Sequence, residues 1–187
     1  VESILTFRSS NGLDIAQSAV LLKTLQNSHS KAAERIKSES RKLRKNLYSN
    51  HFAAMVPIEI GSYCTSNCKF CGWKKDNSEM VRLRVTTEAL IRQTKYLAGL
   101  GFSHFELSGG DDLIYLRDRL KETLQQVKIA ATAVNSEARV SICLTPMCES
   151  QYSDFAKVGL DTVLTWQETY ERSKFESYVT SGPKAYG

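Results

Sequence analysis

The chain has 187 residues, enough for one ordinary domain with a real core. Hydrophobic residues make up 42% and charged residues 24%, a globular balance, and no apolar run approaches the ~18 residues of a membrane span. The net charge is +5, and five cysteines, an odd number with three inside "YCTSNCKFCGW", exclude a disulfide framework and point to a reducing cytoplasm. The start, "VESILTFRSSNGLDIAQ", lacks the basic opening and apolar core of a signal peptide.

Apolar residues at helical spacing predict a helix over 13–27, through Ile15, Ala19, Leu22 and Leu25. A second helix is predicted over 30–48, with Ile36, Leu43 and Leu47 on or near one face. Its basic run, Lys31, Arg35, Lys37, Arg41, Lys42, Arg44 and Lys45, reads as a solvated face. No aromatic residue is interleaved to stack on bases, so no nucleic-acid partner is expected. Residues 1–52 are thus a helical lead-in, and 53–187 a second domain.

After Pro57 the texture changes. "MVPIEIGSY" reads as a buried strand. "TTEALIRQTKYLAGLG" is a helix with Thr86 or Thr87 as cap and Gly99 and Gly101 as stop. "FSHFELSGG" is a strand, "DDLIYLRDRLKETLQQVKIAATAVNS" one long helix, and "ARVSICLT" a third strand. "CESQYSDFAKVGL" is a shorter helix, "DTVLTWQETY" a fourth strand, and "ERSKFESYVTSG" opens another helix. Alternation of this kind implies right-handed crossovers and a parallel sheet. The fold class expected is α/β: a partial (β/α) barrel holding the first four βα units. A closed barrel takes ~250 residues, so a longer protein or another chain is expected to complete this one.

Function in such sheets collects at the carboxyl ends of the strands. The cysteine loop follows strand one, "SGGDD" strand two, "TPMC" strand three and "QETY" strand four. Cys64, Cys68 and Cys71 form a C-x3-C-x2-C spacing, three thiols where structural zinc or an iron–sulfur cluster takes four ligands. For zinc, the candidate fourth ligands are Cys143, Cys148, His51 and His104, none with paired ligand spacing. Inert buried cysteines do not cluster on a polar loop beside Lys69, Lys74 and Lys75. The remaining reading is a 4Fe–4S cube with one iron open to an outside ligand.

With an aromatic before its last cysteine (Phe70) and a strand before it, this loop resembles the signature of radical S-adenosylmethionine enzymes. The resemblance implies a 4Fe–4S cluster on Cys64, Cys68 and Cys71, S-adenosylmethionine on the open iron, and a 5′-deoxyadenosyl radical on reduction. "LSGGDD" resembles the strand-two motif of that superfamily, with Asp111 where glutamate is common. "WQETYER" is similar to the branch that holds the tyrosine and tryptophan lyases and methylornithine synthase, with biotin synthase more distant. The terminal "GPK" resembles the tyrosine lyases, and "CGWKKDNSEMVRLRVTTEAL" resembles methylornithine synthase. By this resemblance Phe70, Trp73, Ser108, Gly109, Gly110, Asp111, Ser141, Glu168 and Arg172 hold S-adenosylmethionine, Phe70 against adenine and Glu168 on the ribose. It also implies reduced flavodoxin or ferredoxin as electron donor, and no membrane partner.

Side chains two apart on a strand share a face. Glu59, then His104, Glu106 and Ser108, then Ser141, Cys143 and Thr145 are expected to face the lumen. Glu59, Glu106 and Cys143 are the expected substrate-binding residues. Two carboxylates in one cavity repel unless a cation sits between them, which suggests an amine-bearing substrate; the competing reading pairs them internally, with His104 the nearest partner. Cys143 and Cys148 are otherwise read as buried small residues. The function expected is a radical lyase or mutase acting on a small amino-acid-like molecule. The alternatives are biotin-synthase-like sulfur insertion and a non-catalytic metal-binding or partner module.

Overall fold

A computed structural model describes residues 1–6, 12–51 and 54–186. The chain divides into two units, Val1–Phe52 and Ala53–Gly187. The first is helical: α1 (Glu2–Thr6), α2 (Ile15–Gln26) and α3 (Lys31–Tyr48). Asp14 caps α2, accepting from the Gln17 amide while the Gln17 side chain accepts from the Asp14 amide. Ser30 caps α3 through the Ala33 amide. No residue of α2 is buried and Ile15 is 91% exposed, while in α3 only Ala33 and Ile36 are buried. Two packed helices share one contact line, so the apolar residues off that line, Leu22, Leu43 and Leu47 among them, face outward. No described helix is long and apolar enough to cross a membrane.

The second unit contains β1 (Met55–Gly61), α4 (Thr87–Gly99), β2 (His104–Gly109), α5 (Leu113–Asp118), α6 (Leu120–Thr132), β3 (Arg139–Cys143), α7 (Glu149–Lys157), β4 (Thr162–Leu164) and α8 (Arg172–Tyr178). The strands lie in chain order β1-β2-β3-β4, every neighbouring pair parallel. This is the expected arc of a β/α barrel. Thr86 caps α4 through the Ala89 amide, and Gly101 at φ +97° turns the chain out of it.

The alternation along the strands sorts the faces. Ile58, Ile60, Phe105, Leu107, Val140 and Ile142 point to one side and are buried with Leu90 of α4 and Leu120, Leu124 and Val127 of α6. The other side is polar. Glu59, Ser108 and Cys143 form one row across the sheet, and Pro57, Glu106, Ser141 and Thr162 the row below.

Two expectations are corrected. The long helix after "SGG" is two, broken at Arg119, whose φ of −126° leaves the helical range. Neither proline nor glycine stands there; the buried Tyr115 hydroxyl bonds Thr123 Oγ1 at 2.9 Å, tying the two helices across the break. The fourth strand is only Thr162–Leu164, and "WQETY" follows it as a loop over the strand ends.

Candidate functional site

The cysteine loop leaves β1 and is fastened on three sides. Thr65 donates its amide (3.1 Å) and its hydroxyl (2.8 Å) to the Asp111 carbonyl. Buried Ser66 donates its hydroxyl to the Asp111 carboxylate at 2.6 Å. The turn after β2 can come this close because it is glycine: a Cβ at Gly110 would lie 2.2 Å from the Tyr63 carbonyl and 2.8 Å from Cys64 Cβ. The glycines of "SGGDD" thus serve close approach; neither has a positive φ.

The second fastening is the segment before α4. Gly61 and Arg84 form an isolated bridge, and the Ser62 amide donates to the Leu83 carbonyl. Arg84 is ion-paired with Asp112 and lies over the Tyr63 ring, 4.5 Å from its centroid. Burial raises the Asp112 pKa, but Arg84 outweighs it and the net shift is downward.

The third comes from beyond α8. The Asn67 amide donates to the Ser181 carbonyl, the Lys69 amide to Tyr178, and the Thr180 amide to Asn67, so this stretch pairs along the loop beside Cys68. Gly182, at φ +94°, presses where a Cβ would sit 2.4 Å from Ser66 Cα. Lys184 follows, ion-paired with Glu168. Burial works against the Lys184 charge, but the Glu168 carboxylate outweighs it and the pKa is raised.

Cys68 is buried, and Cys64 and Cys71 are half-buried. Burial pushes the Cys64 and Cys68 thiols up; the charges of the other two cysteines add to this at Cys68, and that of Cys71 at Cys64. All three thiols lie on the one loop between β1 and α4. Among the described residues no three His, Cys, Asp or Glu side chains are grouped to hold a single metal ion. Three thiol donors on one loop are the donor chemistry of an iron–sulfur cube.

Beside the loop lies a cavity of about 690 Å³ over the strand ends. It is lined by Glu59, Trp73, Glu106, Ser108, Gly109, Asp111, Cys143, Arg172 and Lys184, with Thr145, Trp166 and Gln167. Eight of the expected residues thus share one cavity. Gly110 lies behind its wall, under Tyr63. Phe70 is 55% exposed outside it, edge-on to Tyr178 at 6.4 Å. Ser141 is buried and donates to the Phe105 carbonyl at 3.2 Å rather than lining the cavity. Glu168 is held by Lys184, and Arg172, at the rim, pairs with Glu176 at 2.9 Å.

Cys143 is buried as expected, with the Trp166 indole N–H on its sulfur. Cys148 is exposed, a correction: it stands at the N-cap of α7, outside the core that α7 reaches through its one buried residue, Phe155. Neither Glu59 nor Glu106 has an ion-pair or hydrogen-bond partner among the described residues, His104 included. Burial raises both carboxyl pKa values, and the Glu106 charge raises that of Glu59 further.

Arg82, Arg84, Ser66 and Lys184 had no assigned place in the sequence reading. The only signals were the R-x-R and G-P-K patterns, and neither names a partner.

No family model matches the chain. It is 31% identical over 155 residues to 3-methylornithine synthase of Methanosarcina barkeri, covering 80% of this chain and 42% of that protein. It is 22% identical over 153 residues to 2-iminoacetate synthase of Escherichia coli K12, covering 81% and 38%. The crystal structure of HydG, a maturase of the [FeFe]-hydrogenase, superposes with a TM-score of 0.85 at 24% identity, over 98% of this chain and 40% of that one; this likeness establishes the fold. The chain spans about two fifths of the length of the curated relatives it matches.

Proposed function

We propose, from kinship with the radical S-adenosylmethionine branch of methylornithine synthase and 2-iminoacetate synthase, that this chain carries the cluster-binding part of such an enzyme. The relatives are enzymes of that branch, and its cofactors are a 4Fe–4S cluster and S-adenosylmethionine. The observation that carries the reading is three thiols on one loop fastened against a glycine turn, with Trp73 after the loop and Asp111 of the turn lining the cavity. The chemistry such a cluster supplies is one-electron cleavage of S-adenosylmethionine to a 5′-deoxyadenosyl radical, which takes a hydrogen atom from substrate.

Cys64, Cys68 and Cys71 are assigned to the cluster, and Ser108, Gly109, Asp111 and, behind the wall, Gly110 to the S-adenosylmethionine side of the cavity, with Arg172 at its rim and Glu168 against Lys184. Glu168 meets a ribose hydroxyl only when Lys184 shares or releases it. The unit of residues 53–187 is the catalytic one, with a small-molecule substrate and a reduced flavodoxin or ferredoxin as donor. Anaerobic iron and sulfide loading of the full chain, then dithionite with S-adenosylmethionine, is expected to yield 5′-deoxyadenosine. Stoichiometric zinc with no iron would refute the reading.

The substrate side is assigned to Glu59, Glu106 and Cys143, in adjacent positions on the polar face. Two carboxylates with no ion-pair partner among the described residues suit a small amino acid that bears a side-chain amine, followed by carbon–carbon cleavage or rearrangement. Binding of lysine or ornithine is expected to tighten as pH rises through the carboxylate range, since both groups ionise late. Glu106→Gln is expected to weaken it about tenfold or more, the cost of one charge-assisted hydrogen bond. Norleucine, without the amine, responds to neither change. Equal affinity in Glu106→Gln across the titration removes the amine from the proposal. In the unliganded protein the sign reverses: a raised carboxyl pKa gives stability present at low pH and lost as pH rises through the folded-state value.

A further inference from the structure

We propose that Arg82 is a positioning residue that closes the cysteine loop and fixes the backbone that must present its three thiols to a cluster, an inference that rests on the cluster reading above. Its guanidinium donates to carbonyls on both sides of the loop. Nη1 reaches the Ser62 carbonyl at 2.6 Å and the Trp73 carbonyl at 2.8 Å, and Nη2 the Lys74 carbonyl at 2.7 Å and the Asn77 carbonyl at 3.4 Å. Ser62 precedes Cys64, and Trp73 follows Cys71. One side chain therefore bridges the two ends of the segment that carries every expected ligand.

The backbone around the arginine is itself fastened to the end of β1, where the loop begins. The Leu83 amide donates to Ser62 Oγ at 3.1 Å, Ser62 Oγ donates to the Val81 carbonyl at 3.1 Å, and the Val85 amide donates to the Ile60 carbonyl at 2.9 Å. Gly61 leaves room for this, since a Cβ there would stand 2.7 Å from the Leu83 carbonyl. A planar fork with donors in fixed directions can satisfy several carbonyls at once; an ammonium at the end of a flexible stem cannot hold the same set. The carbonyls also need the fork, because a partly buried acceptor left without a donor is costly. The loop is thus shaped before any cluster arrives.

The test is amide hydrogen exchange over residues 62–77 in the metal-free full chain, alongside iron content and the electron paramagnetic resonance of the reduced, reconstituted protein with and without S-adenosylmethionine. Arg82→Ala is expected to speed exchange across the loop at least tenfold while amides of β2 and β3 stay protected. It is also expected to load less than half the wild-type iron and to lose the spectral change on adding S-adenosylmethionine. Arg82→Lys, which keeps the charge, is expected to fold and still lose loop protection; it decides the matter if Arg82→Ala unfolds. Wild-type exchange and loading in either folded variant overturns the proposal. If the wild type loads no cluster, the cluster reading falls and the claim about the thiols falls with it, while the exchange arm still reports whether Arg82 closes the loop.

Discussion

Alanine at Cys64, Cys68 and Cys71 together is expected to abolish iron–sulfur loading and 5′-deoxyadenosine formation, leaving the fold in place. The loss should be complete because no other described cysteine is available to the loop: Cys143 lines the cavity from β3 with the Trp166 indole on its sulfur, and Cys148 is on the surface at the start of α7. The fold should survive because the loop is held by groups other than thiols. Thr65 and Ser66 bond Asp111, Arg82 bonds the loop ends, and the 178–181 stretch bonds the 67–69 backbone. Among the described bonds only the local contacts of Cys64 with Ser66 are lost. The readouts are iron and sulfide per chain, the broad visible absorbance of the cluster, and product by chromatography, with circular dichroism as the control for folding. Each single variant is expected to fail in turn, since a cube held at two corners is exposed to loss. Wild-type iron content in the triple variant would place the metal elsewhere.

The largest effect on stability is expected at Phe105. It is fully buried on β2, a central strand paired on both sides, and belongs to the one cluster that joins the sheet to α4 and α6. Phe105→Ala removes the ring and leaves a cavity whose walls, Ile58, Leu107 and Val140 among its cluster, belong to strands locked by their ladders and cannot collapse into it. The expected cost is ~3–5 kcal/mol, a large part of the ~5–15 kcal/mol that holds a domain folded. Both tryptophans, Trp73 and Trp166, lie in this unit, so urea unfolding followed by tryptophan fluorescence reports it separately from the helices before it. With a urea slope of ~1–3 kcal/mol/M, the midpoint should fall by at least ~1 M. A shift too small to measure would mean that the sheet and its helices do not unfold as one body.

The same core shows where the order of strands and helices was legible. Period-two runs such as "FEL" and period-3.6 runs such as "LIRQTKYLAGL" are local signals, set by which side of a strand or helix meets water. Thr86 with Gly101, and the glycines after β2, mark ends that local chemistry enforces. From these the four βα units, the parallel sheet and the polar inner face follow. The three thiols were legible too, because a short loop keeps its cysteines together whatever surrounds it. The break at Arg119 and the brevity of β4 were not: no proline or glycine marks the break, which the Tyr115–Thr123 bond spans, and β4 runs only as far as its pairing with three residues of β3.

What the sequence determined by itself, then, is the arc of strands and the loop that bears Cys64, Cys68 and Cys71, both products of short-range periodicity and spacing. Only the tertiary structure decided what holds that loop. Arg82 meets carbonyls on both sides of the cysteines, Asp111 reaches back to Ser66, and Lys184 crosses from the far end of the chain to Glu168. It also left Glu59 and Glu106 without an ion-pair partner among the described residues and set Phe70 outside the cavity. Pairings of this kind are chosen by where the backbone returns, and sequence separation carries no record of that.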